Sequence, residues 1–388
     1  MERSMSINPL AHLFDGVSDV IAEIERRGET GADQPVDARA EIMSLHPEGI
    51  DLVVAQVIEE TASTRTFRMR RPGGGELPPF LAGQYISLNV RIGDVLTNRP
   101  FSISSSPAVR DSYDLTVRRL KGGRVSNHLI DTVTVGHRFT SGGPVGAFSH
   151  NPLFHGDDVV FLAGGSGVAP AMSMIRDIVD RGLSRRMTLV YGSRRAEDVI
   201  FRDELDGIMD RQPNIRVHHV ISQPGRGWKG AVGPLDAGLI TSLLGPLAGR
   251  MTYLCGPSSK YDFLVKELES LGHPRRWIRV EAGNVAKPPP TDPRWPTVLD
   301  PRGEVTVTVR GRKSVSIPRG QALLEGLEDN GLRPKASCRS GECSMCRVRI
   351  CSGEVFHAEE ARLRMSDRQF GFAHSCVAYP LTDLEIDF

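Results

Sequence analysis

The sequence predicts a multidomain chain of three successive folds: an antiparallel β-barrel, an α/β domain with a parallel sheet, and a small α+β domain holding five of the six cysteines. Three observations predict this. From about 50 to 150, short runs alternate apolar and polar residues between glycine- and proline-rich turns, the pattern of half-buried strands. From about 156 to 283, compact apolar runs alternate with helical periodicity, which argues a parallel sheet covered on both faces. At 388 residues the chain also exceeds what one core fills. Hydrophobic content of 39% and charged content of 24% describe an ordinary globular protein, and a net charge of +1 excludes any global attraction to nucleic acid or an anionic membrane. No apolar run reaches the ~18–20 residues of a spanning helix. The N-terminus lacks a signal-peptide pattern, so a reducing cytoplasm is the expected compartment.

Taken in order, residues 1–47 form an acidic extension, with four arginines against nine Asp and Glu for a local charge of −5. Leu10, Leu13, Phe14, Val17, Val20, Ile21 and Ile24 predict an amphipathic helix over 9–27, stopped by Gly28, Gly31 and Pro35. The barrel is assigned to 48–152, with strands at Leu52–Ile58, Thr66–Arg70, Tyr85–Val90 and Tyr113–Leu120. The α/β domain is assigned to 153–284. Its strands are expected at Val159–Ala163, Thr188–Tyr191, Arg216–Ile221 and Thr252–Leu254, with helices over Ala169–Arg181, Arg202–Arg211 and Ser258–Leu271. Five prolines between 287 and 296 predict an extended, semi-rigid linker over 285–302. The last domain, 303–388, is expected to hold strands Val305–Val309, Ser314–Ile317 and Arg347–Ile350 and a helix near Gln321–Asp329.

The most specific motif is Cys338-Arg-Ser-Gly-Glu-Cys343-Ser-Met-Cys346, answered by Cys376. Its spacing, C-x4-C-x2-C-x29-C, is the plant-type arrangement for a [2Fe–2S] cluster held by four thiolates. Structural zinc normally takes paired C-x2-C or Cys/His clips, and only one C-x2-C is present here. Disulfides lack a secretory context.

Four further stretches have chemistry-bearing form. In Arg99-Pro-Phe-Ser102 a cation, an aromatic wall and a small hydroxyl match the phosphates, ring and N5 of a flavin. Gly122-Gly-Arg-Val-Ser126 is a glycine turn opening a helix, whose free amides suit a phosphate; Ser126 is expected near the N-cap. Ala163-Gly-Gly-Ser-Gly-Val-Ala-Pro170 is a strand end, a glycine turn and a helix start, the context of a diphosphate loop. Tyr253-Leu-Cys255-Gly-Pro257 repeats that logic at a later strand end. Each alone also suits a plain capped helix or a buried cysteine.

Together with Ala82-Gly-Gln-Tyr85 and Tyr191-Gly-Ser-Arg194, these motifs resemble, in order, the ferredoxin–NADP reductase superfamily. The resemblance covers residues 50–388. It is to the subset with a C-terminal plant-type ferredoxin, which includes phenylacetyl-CoA epoxidase reductase, hybrid-cluster-protein reductases and Rieske oxygenase reductase components. The resemblance implies a β-grasp ferredoxin domain and FAD bound by Arg99, Phe101, Ser102, Gly123, Val125 and Ser126. Gly165, Ser166, Gly167, Ser193, Arg194, Cys255 and Gly256 would bind the nicotinamide nucleotide. Ser102, Cys255 and Glu281 would act where hydride is transferred, and Cys338, Cys343, Cys346 and Cys376 would ligate the cluster. Phe101 stands where the family usually has Tyr. The family's FMN branch favours Gly-Arg-Gly-Gly-Ser at the flavin phosphate, so Gly-Gly-Arg-Val-Ser favours FAD over FMN. Ser193, Arg194, Ser222 and Arg226 are placed to meet a 2′-phosphate and no acidic ribose clamp is visible, so NADPH is slightly favoured over NADH.

The implied activity is electron transfer from NAD(P)H through FAD and [2Fe–2S] to a separate redox protein, such as an oxygenase or desaturase. The alternative is a subunit of a stable oxidoreductase complex, or the reductase of a hybrid-cluster or corrinoid protein. Between 333 and 349, Arg333, Lys335, Arg339, Arg347 and Arg349 stand against one acid, Glu342. That reverses the usual acidic ferredoxin face and predicts an acidic docking surface on the partner.

Overall fold

The computed structural model describes residues 42, 43, 47, 49–281, 292–359 and 361–388; the helix expected over 9–27 lies outside them. Strands β1 (Ile50–Thr61), β2 (Thr64–Arg70), β3 (Tyr85–Ile92), β4 (Val95–Ser102), β5 (Ser112–Arg118) and β6 (Arg138–Ser141) form an antiparallel sheet in the order β4-β3-β6-β1-β2-β5. A bridge between Ile103 and Leu115 joins the end of β4 to β5, curling the sheet toward a barrel. Alternating residues, among them Leu52, Val54, Phe67, Ile86, Leu88 and Leu115, fill it. Helix α1 (Arg124–Thr132) buries Val125, Leu129 and Ile130 against that core, the four- and five-residue spacing of one helical face.

Strand β4 was not expected, because the sequence places Arg99-Pro-Phe-Ser102 after a strand and the structure places it inside one. Pro100 hides the strand by lowering its propensity. It is tolerated because β4 ends the hydrogen-bonded order, where a missing amide costs no outer ladder bond.

The second domain runs β7 (Asp158–Gly164), α2 (Val168–Asp180), β8 (Arg186–Ser193), α3 (Arg202–Arg211), β9 (Ile215–Ile221), β10 (Ala231–Val232), α4 (Ala237–Leu244), β11 (Met251–Cys255), α5 (Tyr261–Ser270) and β12 (Ile278–Val280). All six strands are parallel, in the order β10-β9-β8-β7-β11-β12. Strands β8 to β10 extend to one side of β7, and the chain then returns to place β11 on the other. The carboxyl ends of β7 and β11 therefore flank the switch point where such sheets bind ligands. Helix α4 went unpredicted between two glycines, yet Asp236 caps it by accepting from Leu239 N at 2.9 Å.

The third domain has β13 (Glu304–Val309), β14 (Ser314–Pro318), α6 (Leu323–Asp329), β15 (Arg347–Ser352), β16 (Val355–His357), α7 (Met365–Gln369), β17 (Phe372–His374), β18 (Ala378–Pro380) and β19 (Leu384–Asp387). Its main sheet, β14-β13-β19-β15-β17, pairs β13 and β19 in parallel and the rest antiparallel, with α6 packed across it in a β-grasp. A Cβ on Gly326 of α6 would lie 2.5 Å from Ile317, so this glycine sets how closely helix and sheet approach. The expected linker does not stay extended to 302. Trp295 is buried, with its ring 5.2 Å from that of Phe356, and joins the core of this domain. Among the described residues no helix is long and apolar enough to cross a membrane.

One buried hydrogen bond ties the second domain's fold to pH. His155 Nδ1 accepts from Asn151 N at 3.0 Å and faces the Tyr253 hydroxyl at 2.6 Å, so the fold takes the neutral ring. Burial first, then the nearby charges of Arg279, His150 and Arg185, lower its pKa from 6.5 to about 4. Between those values the unfolded chain binds the proton and the folded chain does not, so stability falls as pH drops. The thermal midpoint of the wild type is expected to decline from pH 7 toward pH 4.5, and that of His155→Gln to decline less. Equal slopes would show that this ring carries none of the acid sensitivity.

Candidate functional site

The cluster loop is shaped by backbone conformation. Arg339 (φ 54°), Gly341 (φ 79°) and Ser344 (φ 60°) are all left-handed, which only glycine adopts freely. The turn presents the amides of Ser340 and Cys343 to Cys338 Sγ, both at 3.4 Å. Cys338, Cys346 and Cys376 are buried and Cys343 is half-buried. The sulfurs fall into two pairs. Cys346 and Cys376 lie 3.2 Å apart. Cys343 hydrogen-bonds Cys338, and this bond is the main reason the Cys338 thiol drops to about 4 against the opposing effect of burial.

Two pairs suit two metal ions with two protein ligands each. Among the described residues, no group of three or more His, Cys, Asp or Glu is arranged around a single ion. The Ser344 hydroxyl is buried without a partner and the Ser340 hydroxyl turns to Cys338, so both are donors at hand for cluster sulfur. Behind the loop, Ser375 holds Cys346 O from both its amide (3.0 Å) and its hydroxyl (2.7 Å), and His374 Nδ1 donates to Gly341 O at 2.8 Å.

At the switch point the two glycine loops press backbone to backbone. A Cβ on Gly167 would fall 2.2 Å from Cys255 O, and one on Gly256 would fall 3.2 Å from Gly164. Tyr191 donates to Gly165 O at 2.9 Å and pins the first loop from below. Ser193 ends β8 and Arg194 follows it; their carbonyls accept from the amides of Ser222 (3.0 Å) and Gln223 (2.8 Å), which brings Ser193, Arg194 and Ser222, three of the four residues expected at a 2′-phosphate, to one edge. Arg118, which the motifs did not single out, lies over the loop: a Cβ on Gly165 would meet its Nη1 at 2.6 Å. It is the last residue of β5, and no motif in the sequence marks it.

On the barrel, Gly123 is the N-cap of α1 and Ser126 sits in the first turn, three residues past it. No side chain caps the helix, so its leading amides stay available to an anion. A Cβ on Gly123 would strike Ser126 Oγ at 2.4 Å. Val125 beside it is buried in the barrel core. Arg99 donates to Thr97 Oγ1 (2.9 Å) and Asn98 O (2.8 Å) and reaches Glu325 of α6 at 3.3 Å; burial, then the neighbouring Arg339 charge, lower its pKa to about 10. Phe101 is half-buried against the barrel core, and Ser102 ends β4 opposite Tyr85.

The three domains meet around a cavity of about 630 Å³ whose lining includes Tyr85, Phe148, Glu281, Cys338, Cys343 and Arg279. Glu281, just after β12, donates its amide to Leu254 O at 2.9 Å, which sets it beside Cys255. Burial, then the Glu342 and Cys338 charges, push the Glu281 carboxyl up to about 8. Burial, then Glu281, also push the Cys255 thiol well up, so both groups hold their protons at neutral pH. Arg339 does not belong to the exposed basic face expected around the cluster, because it is buried between domains.

Residues 51–150 match the oxidoreductase FAD-binding domain, 161–264 the oxidoreductase NAD-binding domain, and 307–381 the 2Fe-2S iron-sulfur cluster binding domain. The glycine betaine monooxygenase reductase subunit of Pseudomonas aeruginosa is 30% identical over 351 residues, covering 86% of this chain and 93% of its own. The 3-ketosteroid-9-alpha-monooxygenase ferredoxin reductase component of Mycolicibacterium smegmatis is 32% identical over 351 residues, covering 86% and 95%.

The chain belongs to the ferredoxin–NADP reductase superfamily. Phthalate dioxygenase reductase, a solved structure in which electrons pass from pyridine nucleotides to [2Fe-2S], aligns with a TM-score of 0.65 and 26% identity over 88% of this chain and 98% of its own. The chain is a ferredoxin reductase-type oxidoreductase with FAD-, NAD- and [2Fe–2S]-binding domains. Gly167→Ala tests the contact between its nucleotide loops. Forcing them apart is expected to lower kcat/KM for NAD(P)H by about 10–100-fold, with cluster absorbance unchanged. Wild-type kinetics would mean the loops can separate freely.

Proposed function

We propose that the reductase serves a multicomponent monooxygenase, with the residues gathered at the domain junctions in defined roles. The observation that carries this reading is the shared cavity, where Glu281 of the nucleotide domain, Tyr85 of the barrel and Cys338 and Cys343 of the cluster loop line one space. When bound, FAD takes up a hydride from the nicotinamide nucleotide and the [2Fe–2S] cluster moves electrons singly.

The chain supplies position. Arg99, Phe101, Ser102, Gly123, Val125 and Ser126 would hold the flavin, with the uncapped start of α1 meeting its phosphates. Gly165, Ser166, Gly167, Cys255 and Gly256 would hold the nucleotide diphosphate and nicotinamide, with Arg118 reaching the same loop. Protonated Glu281 and Cys255 would face the reacting rings with Ser102, lining the space without adding charge. Cys338 with Cys343, and Cys346 with Cys376, would each hold one iron. Ser193 and exposed Arg194 would take the adenosine end. That arrangement admits either nucleotide and slightly favours NADPH.

The partner's docking surface is proposed to be acidic. Arg333, Lys335, Arg347 and Arg349 are exposed around the cluster loop, while Glu342 is engaged by Arg362 at 3.2 Å. All six cysteines are unpaired, which supports a reducing cytoplasm as the working compartment.

Cys376→Ser tests the order of transfer. Reduction of cytochrome c, a one-electron acceptor, is expected to fall to background while ferricyanide reduction by NAD(P)H persists. Equal loss of both would refute the order. With the cognate oxygenase, delivery is expected to slow as ionic strength rises past ~0.15 M, where charges are screened beyond ~8 Å. A flat salt profile would remove the acidic docking face.

A further inference from the structure

Arg339 follows the first cluster cysteine, and its backbone and side chain serve different ends. The left-handed backbone helps turn the loop's amides inward. The side chain points away from the sulfurs into the contact between the cluster domain and β4 of the barrel. There its Nε donates to Asn98 Oδ1 at 2.8 Å, its Nη2 donates to Thr97 Oγ1 at 2.9 Å, and its guanidinium pairs with Glu328 of α6. Thr97 in turn donates to Glu328 Oε2 at 2.9 Å.

The Asn98 amide is used from both ends. Its oxygen accepts from Arg339, and its nitrogen donates to Ala336 O at 2.6 Å and to Ser87 Oγ at 2.7 Å. Ser87 then donates to Ser337 O at 3.3 Å. Ser87, Thr97, Asn98, Glu328 and Arg339 are each no more than 7% exposed. The network therefore crosses from barrel to cluster loop out of water, and every hydrogen bond is directional.

A buried ion pair is a poor source of net stability, because desolvation offsets much of the attraction. It is a good source of geometry, because a guanidinium fork accepts few arrangements of its partners. This one is anchored at both ends to elements of the electron path. Asn98 directly precedes Arg99-Pro-Phe-Ser102, and Arg339 directly follows Cys338. Two more exposed pairs, Arg124–Asp329 at 2.7 Å and Arg99–Glu325 at 3.3 Å, flank it.

We propose that this latch fixes the cluster domain on the flavin-binding barrel, with Arg339 and Asn98 as positioning residues for electron transfer from barrel to cluster. It rests on the electron order given above. It goes beyond that order by making the transfer depend on a locked domain contact instead of on the proline-rich connection alone. It also occupies the 336–339 limb of the loop, so an external partner must approach the cluster from another side.

The test uses the full-length protein loaded with FAD and cluster, comparing Arg339→Met and Asn98→Ala with wild type. Anaerobic stopped-flow with NADPH or NADH separates flavin bleaching from cluster reduction. Small-angle scattering reports domain separation, and electron paramagnetic resonance with a redox titration reports the cluster's signal and potential. In both variants flavin bleaching is expected at the wild-type rate, with cluster reduction slowed at least about tenfold, a larger radius of gyration, and an unchanged signal and potential. Cluster reduction at the wild-type rate would overturn the proposal. So would slowing accompanied by a shifted potential, since the effect would then be electronic and not positional. If Arg339→Met fails to take up its cluster, Asn98→Ala decides alone, since its side chain lies on the barrel. Failure of the electron order itself would show differently, as loss of cytochrome c reduction and ferricyanide reduction together in Cys376→Ser.

Discussion

A site of four thiolates concentrates negative charge, and the structure is arranged around accommodating it. Compensation begins in the backbone. Three left-handed residues within six positions turn amides toward Cys338, at a conformational cost that only Gly341 avoids. It continues in the surroundings, where Arg275, Arg279 and Arg362 line the same cavity as the cysteines. The charge at Cys338 adds to the effect of burial, and then of Glu342, at Glu281. A carboxylate there would add charge beside Cys338 and Glu342 in a poorly solvated space, so the group holds its proton up to about pH 8. The acid that faces the nucleotide loops is kept neutral in part by the cluster site, although the two lie in different domains.

That coupling requires the domains to hold a fixed relation, and each contact surface is built differently. Within the nucleotide domain the glycine loops touch through bare backbone, because any Cβ at Gly167 would occupy the place of the Cys255 carbonyl. Between barrel and cluster domain the contact is polar and directional, spread along β4. Strand β4 is the end strand of its sheet, and an exposed strand edge invites unwanted pairing. Polar Thr97 and Asn98, the imino residue Pro100 and the covering cluster domain deal with that edge together. The strand that carries the flavin motif thus also receives the cluster loop.

How much of this could be read from the sequence follows from the range of the forces involved. The cysteine spacing, the glycine turns and the alternation of strands are local requirements, so the three folds and the two glycine loops at the strand ends were legible in the residues. Strand β4 was not, because Pro100 masks strand propensity and only its end position makes the proline acceptable. Trp295 sits in a proline-rich run that reads as spacer, and its burial against Phe356 depends on a surface formed some sixty residues later. Arg339 reads as one of five cations on an exposed face until a second domain covers it. Arg118 has no motif at all, and only the fold brings it over Gly165.

Removing Arg339 from the exposed set changes the electrostatics of the remaining surface. The 336–339 limb faces the barrel, so the solvent-facing side of the loop is the part that holds Arg347 and Arg349, with Met345 at the open edge of the shared cavity. Met345 is 48% exposed between Cys343 and Cys346, and Arg347 is oriented by buried Asp367 at 2.9 Å while its guanidinium lies over Phe372. An apolar tip beside one held cation, Arg347, differs from a diffuse positive field, and the chain's net charge of +1 provides no such field. On the proposed acidic docking face, attraction would act within about a Debye length, ~8 Å at physiological salt, and so would orient the partner in the last step of approach more than gather it from a distance. The two sides of one loop would divide the work, one locked inward where electrons arrive and one presented outward where they leave.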